Sequence, residues 1–117
     1  MKKARVITDH QPDSTSDFIV KKGDIVRGIE KPTNWEGWLW CWNDDKEYAW
    51  IPKPYLKPVL DKSGTFLLLR DYNAKELTIK KDKEVVIQFE ASSWAWVITR
   101  LGEEGWIPLE NLQIQEQ

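Results

Sequence analysis

The stretch WLWCWNDDKEYAWIPKPYL, Trp38–Leu56, is answered by WAWVITRLGEEGWIPLENL, Trp94–Leu112, about 56 residues further on. In both, a Trp-Ile-Pro falls at the same distance from the leading Trp. Upstream the correspondence continues, with DFIVKKGDIV at Asp17–Val26 and KELTIKKDKEV at Lys75–Val85. Self-similarity at a fixed period means that one structural unit is built more than once. It predicts two small domains of one kind, residues 1–59 and 66–117. Residues 60–65, LDKSGT, read as a linker too short to let them tumble freely. Units of under about 60 residues bury a small share of their surface, so mutual packing would help both.

Within each copy the signals are those of strands. Arg5–Thr8, Asp24–Ile29, Gly37–Asn43 and Glu47–Pro52 are β-rich runs. Phe66–Arg70, Lys83–Phe89, Trp94–Arg100 and Glu103–Pro108 repeat them. Asn43–Lys46 and a turn containing Gly102 read as hairpin turns. No window has apolar spacing at helical period, and Pro52 and Pro54 permit at most a 3₁₀ turn before Tyr55. Alternation along Trp38–Trp42 puts Leu39 and Cys41 on one face and three tryptophans on the other. The second copy sets Ala95 and Val97 against Trp94, Trp96 and Ile98. Small and branched residues suit a tight interior, which leaves a large outward aromatic stripe. Trp40, Trp42, Trp96 and Ile98 are therefore expected at an interface, chiefly between the two barrels, with a homodimer or protein partner as the alternatives.

Composition excludes several function classes. The net charge is −2, roughly +1 up to Val59 and −3 beyond it, without the concentrated basic footprint of a duplex-binding protein. No run approaches the ~20 apolar residues of a membrane span. The start, MKKARVITDHQPD, has basic residues but no apolar segment behind them, unlike a signal peptide. Cys41 is the only cysteine, which suits a reducing cytoplasm and a small buried hydrophobe. His10 stands beside Asp9 but lacks the pocket and third orienting group of a nucleophile–base arrangement. One His and one Cys fall short of a zinc ligand set. The chain is read as non-catalytic, without metal or cofactor.

Four motifs, in order and twice over, resemble the Src-homology-3 (SH3) family, as tandem copies of a bacterial-type variant covering nearly the whole chain. The ALYDY-like start is Val6–His10 in one copy and Leu68–Tyr72 in the other. The ELSFKKGD-like segment is Asp17–Asp24 and Glu76–Lys83, the leading Trp is Trp38 and Trp94, and the GYIPSNYV-like end is Ala49–Leu56 and Gly105–Leu112. The resemblance implies an all-β protein of two tandem five-stranded SH3-like barrels packed against each other. It also implies a groove for proline-rich peptides, formed by the two ALYDY tyrosines, the leading Trp, and the Pro and Tyr of the last motif. A polyproline helix suits such a groove because little entropy remains for it to lose.

Carried over by position, each copy holds part of that groove. The first keeps Trp38, Pro52 and Tyr55, with Thr8 and His10 in place of the tyrosines. The second keeps Tyr72, Trp94 and Pro108, with Arg70 and Asn111 at the other tyrosine positions. Asp13 and Asp17 are acids of the RT loop, the hairpin after ALYDY, and Trp35 lies in the longer loop before Trp38. The expected contacts are His10, Asp13, Asp17, Trp35, Trp38, Trp50, Pro52, Tyr55, Tyr72, Trp94, Trp106 and Pro108. The partner is a protein or peptide, proline-rich by resemblance, with no nucleic acid and no membrane. The alternative function is a structural scaffold or accessory subunit that docks through its apolar outer strands.

Overall fold

The computed structural model describes residues 2–12, 18–33 and 35–115. Among these the chain forms β1 (Lys2–Val6), β2 (Ile19–Val20), β3 (Ile25–Ile29), β4 (Trp38–Trp42) and β5 (Tyr48–Pro52). A 3₁₀ turn at Lys53–Tyr55 leads to β6 (Leu56–Pro58), followed by β7 (Thr65–Leu68) and β8 (Tyr72–Asn73). Then come β9 (Glu84–Ala91), β10 (Trp94–Thr99) and β11 (Glu104–Pro108), a 3₁₀ turn at Leu109–Asn111, and β12 (Leu112–Gln115). The architecture is all-β, and the strand runs read from the sequence agree with it to within a few residues at each end.

Two compact units result, and they cut across the expected division at 1–59, 60–65 and 66–117. One is contiguous, Ser16–Ala74. The other is split, Met1–Thr15 together with Lys75–Gln117. In the contiguous unit the sheet order is β5-β4-β3-β7-β6, and β2 pairs with β8. In the split unit it is β11-β10-β9-β1-β12. Both sheets are open, and the outer strand β11 also meets the backbone at Lys75–Leu77. The leading strand of each copy has thus been exchanged: β7, from the second copy, lies inside the first copy's sheet, and β1 lies inside the second's.

The cause sits at residues 60–65. These are not an inter-domain linker but the turn of a β-hairpin within the contiguous unit, pairing Leu56 with Leu68 and Pro58 with Phe66. Val59 N donates to Thr65 O at 2.9 Å, and Thr65 N to Lys62 O at 3.1 Å. Gly64 takes φ +75, which glycine reaches without steric cost. A turn this tight can only deliver β7 antiparallel to β6. The slot beside β3 and β6 is then filled, and β1 takes the equivalent slot between β9 and β12.

The two slots differ in size. Register aligns Ala4 with Phe66 and Val6 with Leu68, through their partners in β12 and β6. Ala4 and Val6 are fully buried in a cluster with Leu77, Ile79, Val85, Ile87, Ala95, Val97, Ile107 and Leu112. Leu68 is buried in the contiguous unit with Phe18, Val26, Leu39, Cys41 and Ile51, while Phe66 is half-buried. Ala4→Phe therefore inserts a ring where there is no space. It is expected to lower stability by about 1–3 kcal/mol in urea denaturation, the usual penalty of overpacking.

Alternation along β4 and β10 holds for Leu39, Cys41, Ala95 and Val97, all buried. It fails for Trp38, which is buried on the opposite face. The Cys41 thiol is pushed up to about 12 by burial, so it stays protonated and inert at neutral pH. Gly105 lies so close to the Glu76–Leu77 backbone that a Cβ there would come within 2.8 Å of Leu77 N. That approach lets Leu77 N donate to Trp106 O, and Trp106 N to Lys75 O.

Candidate functional site

Strand exchange decides which groove residues meet. In the contiguous unit, β4 and β5 set Trp38 opposite Pro52, and the 3₁₀ turn that follows Pro52 carries Tyr55. β8 then brings Tyr72 from the second copy, held by antiparallel pairing to Val20. The Tyr72 ring stands edge-on to Tyr55, with centroids 5.7 Å apart and planes at 82°. Its hydroxyl donates to Trp50 O at 2.7 Å. Tyr55 and Tyr72, which the sequence divides between two copies, thus meet within the unit that also pairs Trp38 with Pro52.

Arg70, at the first ALYDY tyrosine position, lies on that site. Its guanidinium carbon is 4.6 Å from the centroid of the Tyr55 ring. Burial pushes the Tyr55 phenol above its ordinary value, and the Arg70 charge partly offsets the rise. Among the described residues the buried Tyr55 hydroxyl has no hydrogen-bond partner. Trp38, Tyr55 and Tyr72 are only 6%, 5% and 4% exposed. Arg70 itself is exposed.

The split unit holds a different arrangement at the equivalent place. His10 occupies the second tyrosine position and meets Trp94 edge-on at 5.5 Å. Its Nε2 lies 3.0 Å from Glu76 Oε1. Asn111 Nδ2 donates to Asp9 O at 3.5 Å where the other unit has Tyr55. Thr8 is exposed, and Pro108 is paired with Trp94 across β10 and β11. These positions are polar, with one indole. In both units the ALYDY aspartate has the same structural task. Asp9 Oδ1 accepts from Lys81 N at 2.6 Å, and Asp71 Oδ1 from Lys22 N at 2.8 Å.

The remaining candidates fall into three groups. Asp13 and Asp17 lie outside the described residues. Trp35 is half-buried, its backbone N donating to Thr33 Oγ1 at 3.1 Å. Trp50 and Trp106 belong to the aromatic stripe rather than to the grooves. Trp40 and Trp50 are cross-strand partners with rings 5.2 Å apart, and Trp40 also stacks on Tyr48 at 5.8 Å. Lys31 places its ammonium 4.2 Å over the Trp40 ring. In the split unit Trp96 stacks on Phe89 and meets Trp106 edge-on at 5.7 Å. Trp40, Trp42, Trp96 and Ile98 are half-buried; Trp106 at 2% exposure and Pro52 below 2% offer almost no surface, and neither is a surface contact. Sequence reading counted Arg70 only as a lost tyrosine. Its place two residues before Tyr72 was the signal that it lies beside Tyr55.

The chain shares 25% identity, over 95% of its length, with the actin cytoskeleton-regulatory complex protein sla1 of Sclerotinia sclerotiorum. Over 92% of its length it is 28% identical to the SH3 and PX domain-containing protein 2B of Mus musculus. It spans 10% and 13% of those proteins. No family profile and no solved structure matches. The SH3 character read from the motifs accords with the second relative's name and with the five-stranded sheets. Among the described residues no helix is long and apolar enough to cross a membrane.

Proposed function

We propose that this chain is a non-catalytic protein-interaction module that binds an extended, proline-rich segment at the groove of the contiguous unit. One observation carries the reading: Tyr72 joins Tyr55 in the unit that pairs Trp38 with Pro52. Aromatic walls of this kind receive the rings of a polyproline helix, and aromatic anchors dominate such interfaces. The name of the first relative, a regulatory complex protein, is consistent with a role inside a larger assembly. A lone, buried thiol fits a cytoplasmic setting.

The test is titration of ¹⁵N-labelled full chain with proline-rich peptides, followed at the indole signals. Shifts are expected at Trp38 and Trp50 before Trp94. No shift at Trp38 with any peptide would end this reading. Silence would favour the scaffold reading, in which the outer strands dock a second copy or a folded partner. That alternative draws on the half-exposed rim of the stripe, where Tyr48 is 48% exposed beside Trp40 and Trp42.

A further inference from the structure

We infer that the outer face of the split unit's sheet docks a protein segment with aliphatic side chains between acidic ones, in a cavity rimmed by Lys3 and Arg100. The site lies wholly within that unit and shares no residue with the proposed peptide groove. β1, β9 and β10 leave an open cavity of about 310 Å³ there, lined chiefly by Lys3, Glu84, Val86, Ile98, Thr99 and Arg100. Register explains the lining. Lys3 lies opposite Val86, and Val86 opposite Ile98, so the three form one row across the sheet. Their neighbours Ala4, Val85 and Val97 point into the core, and alternation turns this row outward. Arg100 follows Thr99, the last residue of β10. Val86 and Ile98 are half-buried, while Lys3 and Arg100 are exposed. The floor is therefore aliphatic, and the cations stand on either side of β9, the middle strand of the three.

Among the described residues neither Lys3 nor Arg100 has an ion pair, with Glu84 or with any other acid. Nearby acids are engaged elsewhere. Glu104, opposite Ile98, accepts from Trp96 Nε1 at 3.4 Å, and Glu90 pairs with Lys2 at 3.2 Å. Two cations against the one carboxylate of Glu84 leave the rim net positive. That combination selects among ligands. A small inorganic anion gains nothing from Val86 and Ile98. A nucleic acid needs a longer basic track and aromatic faces for its bases, and an anionic membrane a larger basic cluster. A protein segment uses both features: aliphatic side chains cover Val86 and Ile98, and flanking Asp or Glu side chains meet Lys3 and Arg100.

The test follows the Val86 and Ile98 methyl signals of ¹³C-labelled full chain against four probes. Three are short, terminally blocked Gly-Ser peptides centred on Glu-Leu-Leu-Glu, Gln-Leu-Leu-Gln or Glu-Ser-Ser-Glu. The fourth is inorganic phosphate. The Glu-Leu-Leu-Glu peptide is expected to move both methyl groups and to bind roughly tenfold more tightly than either other peptide, while phosphate leaves the methyl groups unmoved. Lys3→Gln and Arg100→Gln, at exposed side chains, are expected to keep the fold and to weaken that peptide about two- to fivefold each, the scale of partly exposed charge pairs. Silence of both methyl groups with every peptide would overturn the inference. So would equal binding of the Glu- and Gln-flanked peptides, a preference that survives the double variant, or methyl shifts with phosphate alone.

Discussion

A polypeptide of residues 16–74 is expected to fold cooperatively by itself, and residues 1–59, the first repeat as the sequence delimits it, to be much less stable. Residues 16–74 contain β2 to β8, so every strand of the sheet β5-β4-β3-β7-β6 is present. Residues 1–59 lack β7, an interior strand. Its removal leaves β3 without Leu67, Phe66 and Thr65, and β6 without Leu68, Leu67 and Phe66. The fragment still carries β1, which has the right pattern to enter the vacant slot. It would then place Ala4 where Phe66 stands and Val6 where Leu68 stands. Truncations of that kind cost about 3 kcal/mol or more, close to the whole stability of a domain this small. Urea denaturation followed by tryptophan fluorescence decides the matter. If 1–59 proved at least as stable as 16–74, the strand exchange would be wrong.

The same comparison shows how much of the fold was written locally. Strand positions, the hairpin turn at Asn43–Lys46 and the 3₁₀ turn before Tyr55 follow from alternation, turn residues and proline, and each rests on neighbours in sequence. Asn43 illustrates this, its Oδ1 accepting from Asp45 N and Glu47 N at 3.0 Å. Which copy of the leading strand enters which sheet is not local. β1 and β7 both bury their last residue, Val6 and Leu68, and alternation alone does not say which pairs with β3 or β9. The choice lies in six residues whose brevity was legible but whose geometry was not. Asp61 at φ +66 and Gly64 at φ +75 close a hairpin where an inter-domain connection was expected. The groove positions meet the same limit. In the sequence Trp38, Pro52 and Tyr55 stand with Thr8 and His10 of their own copy. The exchange gathers most of the aromatic residues into one unit, with Arg70, and the polar substitutions Thr8, His10 and Asn111 into the other. Trp106 was misplaced because its burial depends on the Lys75–Leu77 backbone, which only Gly105 lets so close.

Tyr72→Ala is expected to damage the contiguous unit and spare the split one, although Tyr72 belongs by sequence to the second copy. The side chain is buried, meets Tyr55 edge-on, and donates to Trp50 O at 2.7 Å. Truncating a buried aromatic costs about 3–5 kcal/mol, and aromatic pairs of this geometry add about 0.5–1.5 kcal/mol beyond area. The Trp50 carbonyl also loses a donor in a site with little access to water. Indole signals of Trp38 and Trp50 should therefore broaden or shift, amide exchange in β4 and β5 should accelerate, and peptide binding should disappear. Trp94 and Trp96 should be unmoved, since their partners are His10, Phe89 and Trp106. Without exchange the opposite pattern is required, because Tyr72 would stand beside Trp94. Tyr72→Phe separates the two contributions. It keeps the ring against Tyr55 and removes only the hydroxyl, so it should cost about 1 kcal/mol and retain binding. A Tyr72→Ala variant that disturbed Trp94 while leaving Trp38 intact would return Tyr72 to its own copy and remove the assembled groove on which peptide recognition depends.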